Sequence, residues 1–161
     1  YGQMLTRRHY GDGKPHGIQE WYNQYSGIPG NFIAGFYDSQ TWRLGKLHGV
    51  RKTWSLGKLR SMAYYVNGKM HGEYLSIYAN VQKKCQRKFE WKKIQNKEKE
   101  WYESGPIRKL KQWKDGYAHG EERQWHENGR LRFVMWFENG EELSQDITER
   151  SRKRARSNDL S

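Results

Sequence analysis

Few residues in this chain belong to types that do chemistry, and most of those recur at fixed intervals. The single cysteine, Cys85, stands among Lys83, Lys84, Arg87 and Lys88. Neighbouring cations lower a thiol's pKa, so the sequence marks Cys85 as reactive if it is exposed. Covalent catalysis would also need a base and an orienting third group, and no such constellation is legible. Four of the six histidines, His16, His48, His71 and His119, each precede a glycine: Gly17, Gly49, Gly72 and Gly120. Such a set raises the question of a metal. The intervals put these histidines two strands apart in a sheet, roughly 9–10 Å. That is too far for ligands that must each reach about 2 Å from one zinc ion. The expectation is a structural histidine at a turn, its ring bonding locally. The pairs Gly13-Lys14, Gly45-Lys46, Gly57-Lys58 and Gly68-Lys69 lack the strand, helix and spacing of a phosphate-binding loop. No catalytic residue, cofactor or metal ligand is expected.

The same spacings define the elements that carry these residues. Gly49 and Gly72 are 23 residues apart, and Gly72 and Gly120 are 48 apart, two units of 24. Gln95-Asn96 stands where the intervening His-Gly would fall, as a decayed copy within a unit at 82–104. A second glycine precedes each His by three residues (Gly13, Gly45, Gly68, Gly116), and a third marks mid-unit (Gly57, Gly105, Gly129). Two glycine turns per unit leave two segments of strand length. Asn67-Gly68, Asp115-Gly116, Asn128-Gly129 and Asn139-Gly140 are tight-hairpin dipeptides. In the last unit Leu131, Phe133, Met135 and Phe137 alternate with Arg130, Arg132, Val134 and Trp136, a period of two with an apolar first face and a mixed second one. The predicted fold is all-β, with consecutive antiparallel hairpins of about 24 residues in one elongated, twisted, single-layer repeat sheet. An insertion near 23–41 stretches the first interval. Residues 1–12 match the second half of a unit, so the array, 1–143, is expected to start mid-repeat and to be part of a longer one. Residues 144–161 read as a basic tail.

Composition narrows the function class. The 161 residues carry a net charge of +12; 34% are hydrophobic and 15% aromatic. Low aliphatic content suggests disorder, but the aromatic share argues for folding around Trp and Tyr. No apolar run approaches the roughly 18 residues of a spanning helix. One cysteine excludes an intrachain disulfide framework and suits a reducing, intracellular compartment. Trp54, Trp101 and Trp125 share one repeat position, filled by Tyr22 and Ile77 elsewhere. Replacement by Ile fits a core role, although a single layer must leave some aromatics exposed.

Trp42-Arg43-Leu44-Gly45-Lys46-Leu47-His48-Gly49 resembles the core of the MORN repeat, as do Tyr65-Val66-Asn67-Gly68-Lys69-Met70-His71-Gly72 and Trp113-Lys114-Asp115-Gly116-Tyr117-Ala118-His119-Gly120. The further glycine of the usual unit is replaced by Arg51, Tyr74 and Glu122. Trp101-Tyr102-Glu103-Ser104-Gly105 is instead similar to the variant MORN repeat of antitoxin-like bacterial proteins and of large DNA viruses. The resemblance implies a non-catalytic scaffold for protein contacts, with a structural or virion component as one candidate role; the nucleus and a virion are candidate locations.

Charge suggests where contacts would lie. Residues 83–99 hold eight basic and two acidic residues, a net of +6, with Phe89 and Trp91 interleaved. Lys83, Lys84, Arg87, Lys88, Lys92 and Lys93 are therefore candidates for contact with a polyanion or a protein. Arg152, Lys153, Arg154 and Arg156 of the tail resemble a nucleic-acid or localisation arm. The leading expectation is a protein-docking scaffold, with oligomers as one form of contact. The alternatives are a module for nucleic acid or acidic membrane and an antitoxin-like regulator of a partner protein.

Overall fold

The computed structural model describes residues 3–26 and 32–143. They form an all-β structure without helix. The strands are β1 (Gln3–Arg7), β2 (Tyr10–Gly11), β3 (Lys14–Pro15), β4 (Gly17–Ser26), β5 (Phe32–Arg43), β6 (Lys46–Ser55) and β7 (Lys58–Val66). They continue as β8 (Lys69–Ile77), β9 (Lys83–Glu90), β10 (Lys93–Trp101), β11 (Ile107–Lys114), β12 (Tyr117–Trp125), β13 (Leu131–Glu138) and β14 (Glu141–Glu142). Twelve of them make one open antiparallel sheet in the order β1-β4-β5-β6-β7-β8-β9-β10-β11-β12-β13-β14, while β2 and β3 form a small ribbon beside it. The expected fold class is thus observed. The insertion lengthens β4 and β5 to 10 and 12 residues; its tip, like the basic tail, lies outside the described residues.

Turn chemistry explains the meander. The tips Asp12-Gly13, Leu44-Gly45, Asn67-Gly68, Asp115-Gly116 and Asn139-Gly140 have positive φ at both residues, the two-residue turn whose twist matches that of the strands. The decayed unit keeps the same turn without glycine, with Trp91 at φ 49° and Lys92 at φ 75°. Each tip from Leu44-Gly45 onward is tied to the preceding unit. The amides of Gly45, Gly68, Lys92, Gly116 and Gly140 donate to the carbonyls of Pro15, Leu47, Met70, Ile94 and Ala118 at 2.7–3.0 Å. At the opposite end, the Tyr78 and Tyr102 hydroxyls donate to the Trp101 and Trp125 carbonyls at 3.0 and 2.8 Å, 23 residues onward in both cases. Repetition of sequence therefore becomes repetition of inter-unit bonds.

The mid-unit ends of the ladders carry bulges. Ser61 pairs with Thr53 and Leu59 with Trp54, leaving Arg60 unpaired. Lys84, Arg108 and Arg132 are left over in the same way, and in the first hairpin the extra residue is Gly35. A bulge bends its strand and re-aims the unpaired side chain.

The core is thin. Among the described residues the buried apolar side chains are Ala63, Cys85, Ala118 and Val134, and the buried polar ones are Gln19, Asp38, Glu98 and Glu122. Two sequence expectations are corrected here. Val134, from the mixed face of β13, is the enclosed residue at 1% exposure, while Leu131 of the apolar face is 40% exposed. Trp54, Trp101 and Trp125 are half-buried rather than core, because among the described residues a single layer gives them neighbours on the sheet but no facing layer. The side chain of Tyr22 lies outside the described set.

Candidate functional site

The densest chemistry lies in the middle of the sheet, where register brings acids and bases of neighbouring strands opposite one another. Glu98 on β10 is 2% exposed. It accepts from Arg87 Nε at 2.6 Å and from Trp113 Nε1 at 3.0 Å, with Lys109 Nζ at 3.7 Å. Glu100 takes Lys109 at 2.7 Å and Arg87 at 3.7 Å. Further along, Lys111 bonds Glu122 at 2.8 Å and lies over the Phe137 ring at 4.2 Å, and Asp38 takes Arg51 at 2.7 Å. Burial resists ionisation of Glu100, but the hydrogen bond and charge of Lys109, with Arg108 and Arg87, hold its carboxyl below the ordinary range. Cys85, Glu98 and Glu100 place their ligand atoms within 4.8 Å of one another, yet both carboxylates are already neutralised by Arg87 and Lys109. Buried acids paired in this way are what a sheet interior requires, and the cluster is an ion-pair network.

Exposure, the condition for a reactive Cys85, is not met. Its strand position buries it, and desolvation pushes the thiol up to about 11, outweighing the opposing charge of Arg87. Lys83, Lys84 and Lys88 do not activate it. At neutral pH it is a protonated thiol and a poor nucleophile.

A hollow of about 430 Å³ opens beside this network. The hydroxyls of Thr53 and Ser61, 2.6 Å apart, line it with Ser76 and Cys85. Three bulge cations, Arg60, Lys84 and Arg108, reach it from successive hairpins. Arg60 donates to the Tyr78 carbonyl at 2.8 Å, and Lys84 Nζ stands 5.5 Å from the Tyr78 ring centre. Arg108 and Lys84 are exposed. A second hollow, about 450 Å³ and mostly apolar, lies between His48, Tyr64, Tyr65 and His71.

The six candidate contact cations of 83–99 are spread along and across the strand. Lys83 and Lys84 start β9, whereas Lys92 and Lys93 lie at the tip beyond its far end, roughly 20–25 Å along the strand. Arg87 is committed to Glu98, and Lys88, pairing across from Glu73, faces the opposite side of the sheet by alternation. Arg152, Lys153, Arg154 and Arg156 lie outside the described residues.

Among the described residues no histidine falls in a cluster of three potential metal ligands. Local ring bonding is replaced by packing: Nδ1 of His71 and His119 is buried without a hydrogen-bond partner, and His71 lies against Trp91 at 4.8 Å. His48 alone of these reaches a turn side chain, Asn67, at 3.4 Å. In the decayed unit Gln95 makes that link better, with two bonds to Asp115 at 3.1 and 3.0 Å.

The residues missed from the sequence are the bulge cations. Arg60, Lys84, Arg108 and Arg132 are each 24 residues apart. The spacing was available as a signal, but 30 basic residues in 161 hide four that recur every 24, and bulges are not legible from composition. No protein-family model matches the chain, and no curated protein matches it.

Proposed function

We propose that the chain is a non-catalytic repeat scaffold that docks another protein on its half-open sheet. The observation supporting this is the row of mid-unit apolar side chains left without a facing layer among the described residues. Tyr37 and Trp54 pack with ring centres 4.6 Å apart, and Leu59, Ile77, Trp101, Ile107 and Trp125 continue the row, all half-buried. A sheet stabilises itself by burying one face against a second layer, and a partner protein would supply that layer. The resemblance of the units to MORN repeats supports the same class of role. Dispersal of the lysines of 83–99 weakens the polyanion alternative.

A photo-crosslinking amino acid placed at Trp125, compared with one at the exposed turn residue Lys69, tests the proposal in native cell extract. The expected result is one identified protein joined from position 125 and not from 69. It should re-bind in purified form, with affinity little changed between low and about 0.5 M salt, because apolar docking releases few counterions. Recovery of nucleic acid alone, lost steeply with salt, would overturn the scaffold in favour of a polyanion module.

A further inference from the structure

The bulge cations form a regular row. Arg60, Lys84, Arg108 and Arg132 are the unpaired residues of the bulges in β7, β9, β11 and β13. Alternate strands of one sheet are about 9.4–9.8 Å apart, so the backbone positions of the row recur at nearly constant intervals across roughly 28 Å, with Arg60 half-buried and bonded to the Tyr78 carbonyl. None of the four makes a close ion pair among the described residues, although Arg108 acts at longer range on Glu100, whereas Arg51, Arg87, Lys109 and Lys111 in the sheet centre all do. Lys84, Arg108 and Arg132 are exposed. Aromatic and hydroxyl groups accompany them: Tyr78 and Trp101 line the hollow with Thr53, Ser61 and Ser76, and Arg132 lies 5.9 Å from the Phe133 ring centre.

The interval selects a ligand. A polyproline II chain rises about 3.1 Å per residue with three residues per turn, so every third side chain falls on one side at about 9.3 Å. That matches the two-strand step. An extended β-strand puts successive third residues on opposite sides, and a flexible single-stranded nucleic acid would follow charge without preferring an interval. Resting on the protein-docking reading, we propose that the bulge row seats an acidic segment of a protein partner in the polyproline II conformation, carrying a carboxylate on every third residue. Aromatic rings beside the row suit such a helix, whose recognition elsewhere uses aromatic-lined grooves.

The test is fluorescence anisotropy with the full chain and three labelled probes. These are four Glu-Pro-Pro repeats, four Glu-Pro-Pro-Pro repeats of equal charge, and a short oligothymidylate. The Glu-Pro-Pro peptide is expected to bind at least about five-fold more tightly than the wider-spaced one. Lys84→Gln and Arg108→Gln should each weaken it roughly two- to five-fold, the range of exposed charge pairs. The triple variant Lys84→Gln/Arg108→Gln/Arg132→Gln should abolish the preference. Its circular dichroism should match that of the parent, since all three side chains are exposed. The tail is unchanged in every variant, so its contribution is common to all. Equal affinity for the two peptides, no saturable binding of either, tighter binding of the oligothymidylate at physiological salt, or a preference surviving in the triple variant would overturn the proposal. A retained crosslink at Trp125 with no interval preference would overturn the row alone and leave the scaffold reading standing.

Discussion

Glu98 places its carboxyl at one of the most enclosed positions in the sheet, tolerable because Arg87, Lys109 and Trp113 surround it. Removing one partner of a buried pair typically costs about 3–5 kcal/mol. Glu98→Ala should fall near about 3 kcal/mol, the low end of that range, because Glu100 still holds Arg87 at 3.7 Å. A urea midpoint shifted by less than a third of that amount would mean that the network relaxes freely around the gap. Glu100 links the same network to pH. Its folded pKa lies below the usual 4.5, so its ionised form contributes stability above the unfolded value, and this is lost as pH falls through the folded one. The melting temperature should be flat above about pH 5 and drop below the ordinary carboxylate range, with a shallower drop in Lys109→Gln. An equally steep acid limb in that variant would assign the drop to other carboxylates. Neither role was readable from the chain: Glu98 counted only as one of two acids in the basic block of 83–99, Glu100 lay just beyond it, and only register shows what lies opposite them.

The hairpin is the element that recurs, and its loops differ in how well sequence suits shape. Val81, Gly105 and Gly129 occupy equivalent loop positions at φ 67°, 113° and 82°. A β-branched residue there is an outlier, and left-handed backbone costs an L-residue about 1–2 kcal/mol. Val81 is 63% exposed, so little packing offsets that strain. Val81→Gly should raise stability by about 0.5–1 kcal/mol, after allowing for the entropy of an added glycine. A lowered denaturation midpoint would show that the isopropyl group has a contact worth more than the strain. Trp91 is a poorer choice for the same change, since its ring lies on His71. The turn dipeptides made the hairpins legible at this scale. The Trp91-Lys92 turn was not, because its shape comes from neighbours, including the 2.8 Å bond from the Lys92 amide to the Met70 carbonyl.

Across the whole molecule, every strand of the sheet bonds only to the strands beside it in the order of the chain, with β4 following β1 across the small ribbon. That local wiring explains why the fold could be read from spacings alone: each unit repeats the same few contacts, and no distant crossover had to be guessed. The candidate site was less legible. The lysine block of 83–99 is contiguous in sequence, yet a strand sends alternate residues to opposite faces and its two ends far apart. The bulge row is scattered in sequence and continuous in space. The same wiring has a mechanical consequence. Force applied between β1 and β13 pulls across the strands, so ladders open one bond at a time instead of sharing the load. Stretched in an optical trap, the chain should give way at low force in successive steps, each releasing one unit of about 24 residues, or roughly 80 Å of chain. Pulled along a single strand, the same bonds resist together in shear. A sheet built this way yields like a zipper in one direction and holds like a strap in the other.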